Sequence, residues 1–135
     1  MKMYLYILFL LVLTSCYHKY ASIPQIEGYV YNQETHEPEK NVKIKMQLVR
    51  HGGGEIWVES SLSDSLGFFK INKVEKAEFM VPGMESGERV PRLDSPVILE
   101  KEGFIPDSVN YGYKIRYMSD ESYRIDTLFF NSGLK

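Results

Sequence analysis

Apolar and polar residues alternate along most of this chain. Val42-Lys43-Ile44-Lys45-Met46-Gln47-Leu48 alternates through seven positions. A helix would scatter these four apolar side chains around its circumference, whereas a strand puts them all on one face, so the spacing predicts a half-buried strand. Ile26, Gly28 and Val30 share one face of a second strand, which turns Tyr29 and Tyr31 outward. The polar run Asn32 to Asn41, with its proline, reads as a turn region. Gly-rich His51 to Glu55 is a loop tip, and Ile56 to Ser60 makes the return strand of a hairpin. Ser63 to Gly67 is a turn with Gly67 at positive φ, leading into Phe68 to Ile71 with Phe69 and Ile71 inward. Further strands are predicted at Ala77 to Val81, Pro96 to Glu100, Ser108 to Tyr113 and Tyr123 to Phe130, with a turn at Gly103-Phe104. The best helical rival, Lys73 to Met80, spans only about two turns. Pro82 to Pro96 carries three prolines and two glycines and is expected to be a long loop. Short strands separated by frequent turns predict an all-β sandwich of about seven strands.

The first residues follow a different pattern. Tyr4 to Leu13 is uncharged and apolar, with Lys2 before it and polar residues directly after. The run falls short of the roughly 20 residues that cross a bilayer and has signal-peptide form. Leu13-Thr14-Ser15-Cys16 then resembles the lipobox of bacterial lipoproteins. The resemblance implies that residues 1–15 are removed and that Cys16 carries a diacylglycerol as the membrane attachment point. It also implies that residues 16–24 form a lipid-anchored linker. Two or more acyl chains hold a protein stably on a bilayer. Tyr17 follows Cys16 where Asp marks inner-membrane retention in many such lipoproteins. The expected location is therefore the outer membrane, and the lack of an acidic run after the cysteine leans to its periplasmic face.

The mature segments carry a second resemblance. Ile26-x-Gly28-x-Val30, Asn41-Val42-x-Ile44-x-Met46, Asp64-Ser65-x-Gly67-x-Phe69 and Glu100-Lys101-Glu102-Gly103-Phe104 together resemble the carboxypeptidase regulatory-like family. The resemblance implies a Greek-key, transthyretin-like sandwich over residues 25–131. The long segment 82–96 and the tail after Tyr111 depart from the family pattern. Combined with a lipobox, the chain looks like small lipoproteins of Bacteroidota.

Composition narrows the function classes. Loss of residues 1–15 removes Lys2 alone and moves the formal net charge from −2 to −3. No basic patch is left that would point to nucleic acid. The one cysteine is committed to lipid, so no internal disulfide is expected. Ten Tyr and seven Phe suit strands.

Chemistry is sparse. His51-Gly52-Gly53-Gly54 resembles half of a lipase oxyanion loop. Gly83-Met84-Glu85-Ser86-Gly87 has the wrong spacing for the nucleophile elbow it would need. His18, His36 and His51 lack ligand spacing, and no phosphate or dinucleotide fingerprint is present. Glu75 with Glu78, or Asp120 with Glu121, reads as a solvated face rather than an acid–base pair. One transthyretin-like hydrolase ends in Tyr-Arg-Gly-Ser, and this chain ends Asn131 to Lys135 without it. The expectation is no catalytic residue, no metal and no cofactor. The function expected is a non-catalytic binding or accessory module anchored through Cys16, with an envelope protein or glycan as partner. A structural subunit of an envelope assembly, or a small hydrolase, is the alternative. Tyr29, Tyr31, Tyr111, Tyr113 and Tyr117 are candidates for a partner surface, set against ordinary cross-strand packing.

Overall fold

The computed structural model describes residues 3–4, 6–9, 17–50, 52–79, 91–109, 114–118 and 121–133. Among them are ten strands. They are β1 (Tyr17–Ile23), β2 (Gln25–Asn32), β3 (Val42–Val49), β4 (Glu55–Glu59) and β5 (Phe68–Ile71), then β6 (Val74–Phe79), β7 (Arg92–Lys101), β8 (Asp107–Val109), β9 (Ile115–Met118) and β10 (Ser122–Phe130). Eight of these build two four-stranded sheets, ordered β5-β2-β10-β9 and β4-β3-β7-β8. The remaining two, β1 and β6, pair with each other.

The alternation in the sequence becomes the sandwich core. Ile26 and Val30 from β2, Phe69 from β5, and Ile125, Leu128 and Phe130 from β10 form one wall. Val42, Ile44, Met46 and Leu48 from β3 and Val97 and Leu99 from β7 form the other. Each of these side chains is fully shielded from solvent, and burying one aliphatic or aromatic side chain contributes roughly 1.5–3 kcal/mol. The chain is thus an all-β sandwich, with Tyr29 exposed and Phe69 and Ile71 inward as the pattern predicts.

The two sheets are held in register differently. All pairs in the β4-β3-β7-β8 sheet are antiparallel. In the other sheet β10 lies parallel to β2, joining the start of the sandwich to its end. Two irregularities adjust these ladders. Between Met46 and Gln47 the partners on β7 jump from Val97 to Asp94, which leaves Ser95 and Pro96 outside the pairing. Proline has no N–H to donate, so a bulge is where a strand can hold it. In β10 the register shifts between Ile125 and Leu128. Both residues point into the core despite their odd spacing, because the bulge resets the alternation.

Two glycines are fixed by contact. A Cβ on Gly28 would lie 2.7 Å from the Ile125 carbonyl oxygen and 3.0 Å from the Phe69 ring. Gly67 has φ 75°, and a Cβ there would lie 2.3 Å from the Val30 carbonyl oxygen. The Gly67 carbonyl in turn accepts a bond from the Val30 N–H at 2.8 Å. Asp64 Oδ1 accepts from the Leu66 and Phe68 amides and shapes the turn before them.

Several boundaries differ from the sequence reading. Residues read as a linker form β1, whose backbone pairs with β6 from Tyr17 onward. The segment Lys73 to Met80 is strand over Val74–Phe79, with no helix. Of the loop expected over Pro82 to Pro96, residues 82–90 lie outside the described residues, and Arg92 to Pro96 belong to β7. Ten strands are described where about seven were expected: β1 and β9 have no counterpart in the pattern, while β8 falls at the strand expected from Ser108, whose residues 110–113 lie outside the described ones. Gly28→Ala is expected to cost about 1–3 kcal/mol by overpacking, read as a lower urea midpoint. An unchanged midpoint would contradict the close approach of β10 to β2.

Candidate functional site

One end of the sandwich gathers polar and concave features. Here β2 ends, β3 begins, β7 ends and β10 runs out into residues 131–133. A groove of about 850 Å³ opens between Asn41, Lys43, Leu62, Lys101, Phe104 and Pro106. It combines an aromatic ring and aliphatic surface with charged side chains on its rim.

Asn32 organises this end. Its Oδ1 accepts from the Glu34 and Thr35 amides at 2.8 and 3.0 Å, closing an Asx turn. Its Nδ2 donates to Glu39 Oε2 at 3.0 Å. Lys101 Nζ donates to the other oxygen, Glu39 Oε1. The same ammonium sits 5.1 Å from the centre of the Phe104 ring. Burial alone would push the Glu39 carboxyl up, but the bonds from Lys101 and Asn32 outweigh it and hold the group below its ordinary value of 4.5. The end of β2, the turn after it and the end of β7 are thereby locked together beside the groove.

Buried serines of the β4–β5 connection hold the backbone behind the groove. Ser63 Oγ accepts from the Val42 amide at 3.0 Å and donates to the Glu39 carbonyl at 2.7 Å. Ser60 Oγ accepts from the Ile44 amide at 3.0 Å. These hydroxyls serve the start of β3 beyond the end of β4. On the outer face of this sheet Lys45 bridges Glu100 at 3.0 Å and Glu59 at 3.4 Å, and Lys43 reaches Glu59 at 3.7 Å.

The sequence candidates are dispersed. Leu13 to Cys16, His51, Gly83 to Gly87, Tyr111, Tyr113, Asp120 and Lys135 lie outside the described residues. His18 belongs to β1. His36 sits in the turn after β2 at φ 59°, its ring 5.9 Å from that of Phe129. Glu75 pairs with Lys73 at 3.0 Å, and Glu121 lies 3.9 Å from the same lysine. Among the described residues, no three His, Cys, Asp or Glu side chains converge as a metal site would require.

Two of the candidate tyrosines, Tyr29 and Tyr117, make cross-strand ring contacts. Tyr29 lies opposite Phe68, ring centres 5.5 Å apart and edge-on. Tyr117 lies opposite Tyr123 at 5.2 Å, and Tyr123 donates to the Pro91 carbonyl at 3.1 Å. Sequence reasoning missed Asn32, Glu39 and Lys101. Their only signal was their place in turn-rich stretches, since no motif spacing links residues so far apart.

No helix among the described residues is long and apolar enough to cross a membrane. No family model, curated protein or solved structure matches this chain.

Glu39 makes stability depend on pH. Its depressed folded-state value means that its contribution is fully present above the unfolded value and is lost as pH falls through the folded one. Glu39→Gln is expected to lower stability at neutral pH by about 1–3 kcal/mol, as for bonds between charged groups. It should also reduce the loss between about pH 6 and pH 3. Urea titrations of both proteins across that range check the two effects together.

Proposed function

We propose that this protein is a non-catalytic lipoprotein that presents a β-sandwich binding module in the cell envelope, with Cys16 as its lipid attachment site. The observation that carries this reading is Leu13-Thr14-Ser15-Cys16 directly behind an uncharged apolar run. The packing agrees with it. Met3, Tyr4 and Tyr6 to Phe9 are helical, and their side chains are exposed, Tyr4 and Tyr6 by more than 70%. The sandwich core is assembled from β2, β3, β4, β5, β7 and β10 and takes nothing from the described residues 3–4 and 6–9. Large apolar side chains that a core leaves in water are what a removable export segment requires.

The sandwich serves as a binding module on this reading. Its groove offers an apolar floor with fixed charges at the rim, a form suited to a glycan or an extended peptide of an envelope protein. The close contact at Gly28 in β2 and the turn from Asp64 to Gly67 support membership of the carboxypeptidase regulatory-like, transthyretin-like class, because these motif residues have packing and turn roles. The outer membrane, on its periplasmic face, is the location consistent with Tyr17 after the cysteine.

A second reading, a structural subunit of an envelope assembly, draws support from β6, which pairs with β1 and no other described strand. Strands with a free edge can accept another chain by β-augmentation.

Cys16→Ser tests the anchor. The variant is expected to leave the membrane fraction and to retain residues 1–15, measured by fractionation and intact mass. Unchanged fractionation with a processed N-terminus would refute the reading.

A further inference from the structure

The β1–β6 pair is the same ladder as β2–β5, carried onward. In the sandwich Ile26 faces Ile71, and three residues further along each strand Ile23 faces Val74 in unbroken register. Only Pro24 separates β1 from β2, and only Asn72 and Lys73 separate β5 from β6. A single irregularity at Ser22 then shifts the pairing by one, and it continues to Tyr17 opposite Phe79. The two strands therefore form one long ribbon whose outer part leaves the β5-β2-β10-β9 sheet.

The base of that outer part is locked. Ala21, Ser22 and Pro24 are buried, and Ser22 Oγ donates to the Val74 carbonyl at 3.0 Å. Lys73 bridges Glu75 and reaches Glu121 at the β9–β10 turn, which braces the ribbon against the sandwich. Beyond the base, Lys19, Glu75, Lys76 and Ala77 are exposed. Six or seven residues of strand extend about 20 Å.

Tyr17, at the tip, is the residue that follows Cys16. The groove lies at the opposite end of the sandwich, where β2 and β10 finish, a further roughly 30 Å along nine residues of β10. We propose that the tip of the β1–β6 ribbon is the face that meets the lipid headgroups, and that the ribbon is a stiff stand-off which turns the groove away from the bilayer. The inference rests on lipidation at Cys16. With β1 paired from its first residue, the chain has no slack between lipid and domain, so orientation follows from attachment. A flexible linker of ten residues would instead roam over about 17 Å and let the domain swivel.

The test uses the full-length lipidated protein in vesicles that carry a nitroxide on the lipid headgroup. Single cysteines for a fluorophore are placed at Lys76→Cys on the ribbon and Glu34→Cys beside the groove, because the Cys16 sulfur is blocked by its thioether. The expected result is quenching several-fold stronger at position 76 than at position 34. Ten Gly and Ser residues inserted between Cys16 and Tyr17 should narrow that contrast. Equal quenching at the two positions, in protein that floats with the vesicles and carries the lipid mass, overturns the stand-off while leaving the anchor intact. Protein that neither floats nor carries lipid mass overturns the anchor and the stand-off together.

Discussion

The contact between Gly28 of β2 and Ile125 of β10 joins the first sandwich strand to the last. The two strands run side by side in parallel, so nothing local in the chain brings them together. The missing side chain at Gly28 lets the Ile125 carbonyl and the Phe69 ring close over β2. That closure sets the height at which Ile125, Leu128 and Phe130 meet the β3 and β7 side chains across the core. The β10 bulge is part of the same fit. It returns Leu128 to the core after Ile125, so one strand serves two stretches of β2 with different phase. The turn ending in Gly67 then fastens β5 to the other edge of β2 through the Val30 amide.

The core strands were legible where alternation was strict and flanked by turn residues. Val42 to Leu48 is the plainest case, and the turn at Asp64 to Gly67 announced itself by residue type. The sequence was opaque where pairing, rather than side-chain pattern, makes the strand. Tyr17 to Ile23 carries His, Lys and Ser and lacks a repeating apolar face, so only its partner β6 reveals it as a strand. Arg92 to Pro96 was hidden by a proline that a bulge accommodates. Ile115 to Met118 is short, and most of it is exposed. The groove was out of reach for a related reason. Asn32, Glu39 and Lys101 meet because β2, its following turn and β7 end at the same place, and no spacing in the chain records that meeting.

Charge is used sparingly and close to the rims. Glu39 with Lys101 is a shielded ion pair, with side-chain exposures of 15% and 20%. It is supported by Asn32 on one side and the Phe104 ring on the other. A shielded charge kept in place by neutral neighbours is costly to move, so this end of the sandwich is a fixed feature. The lysines and glutamates on the outer face of β3, β4 and β7 are more exposed and tune solubility more than shape.

The parallel pairing of β2 with β10 also sets an order of events in time. A chain delivered from its N-terminus can form the β3–β4 hairpin and the β2–β5 ladder early, because those partners are near in sequence. The β5-β2-β10-β9 sheet has to wait for Ser122 to Phe130. Contacts between distant parts of a chain slow folding because loop closure must precede any gain. Until then Ile26 and Val30 lack the strand that covers them. The sandwich closes only once β10 has joined β2.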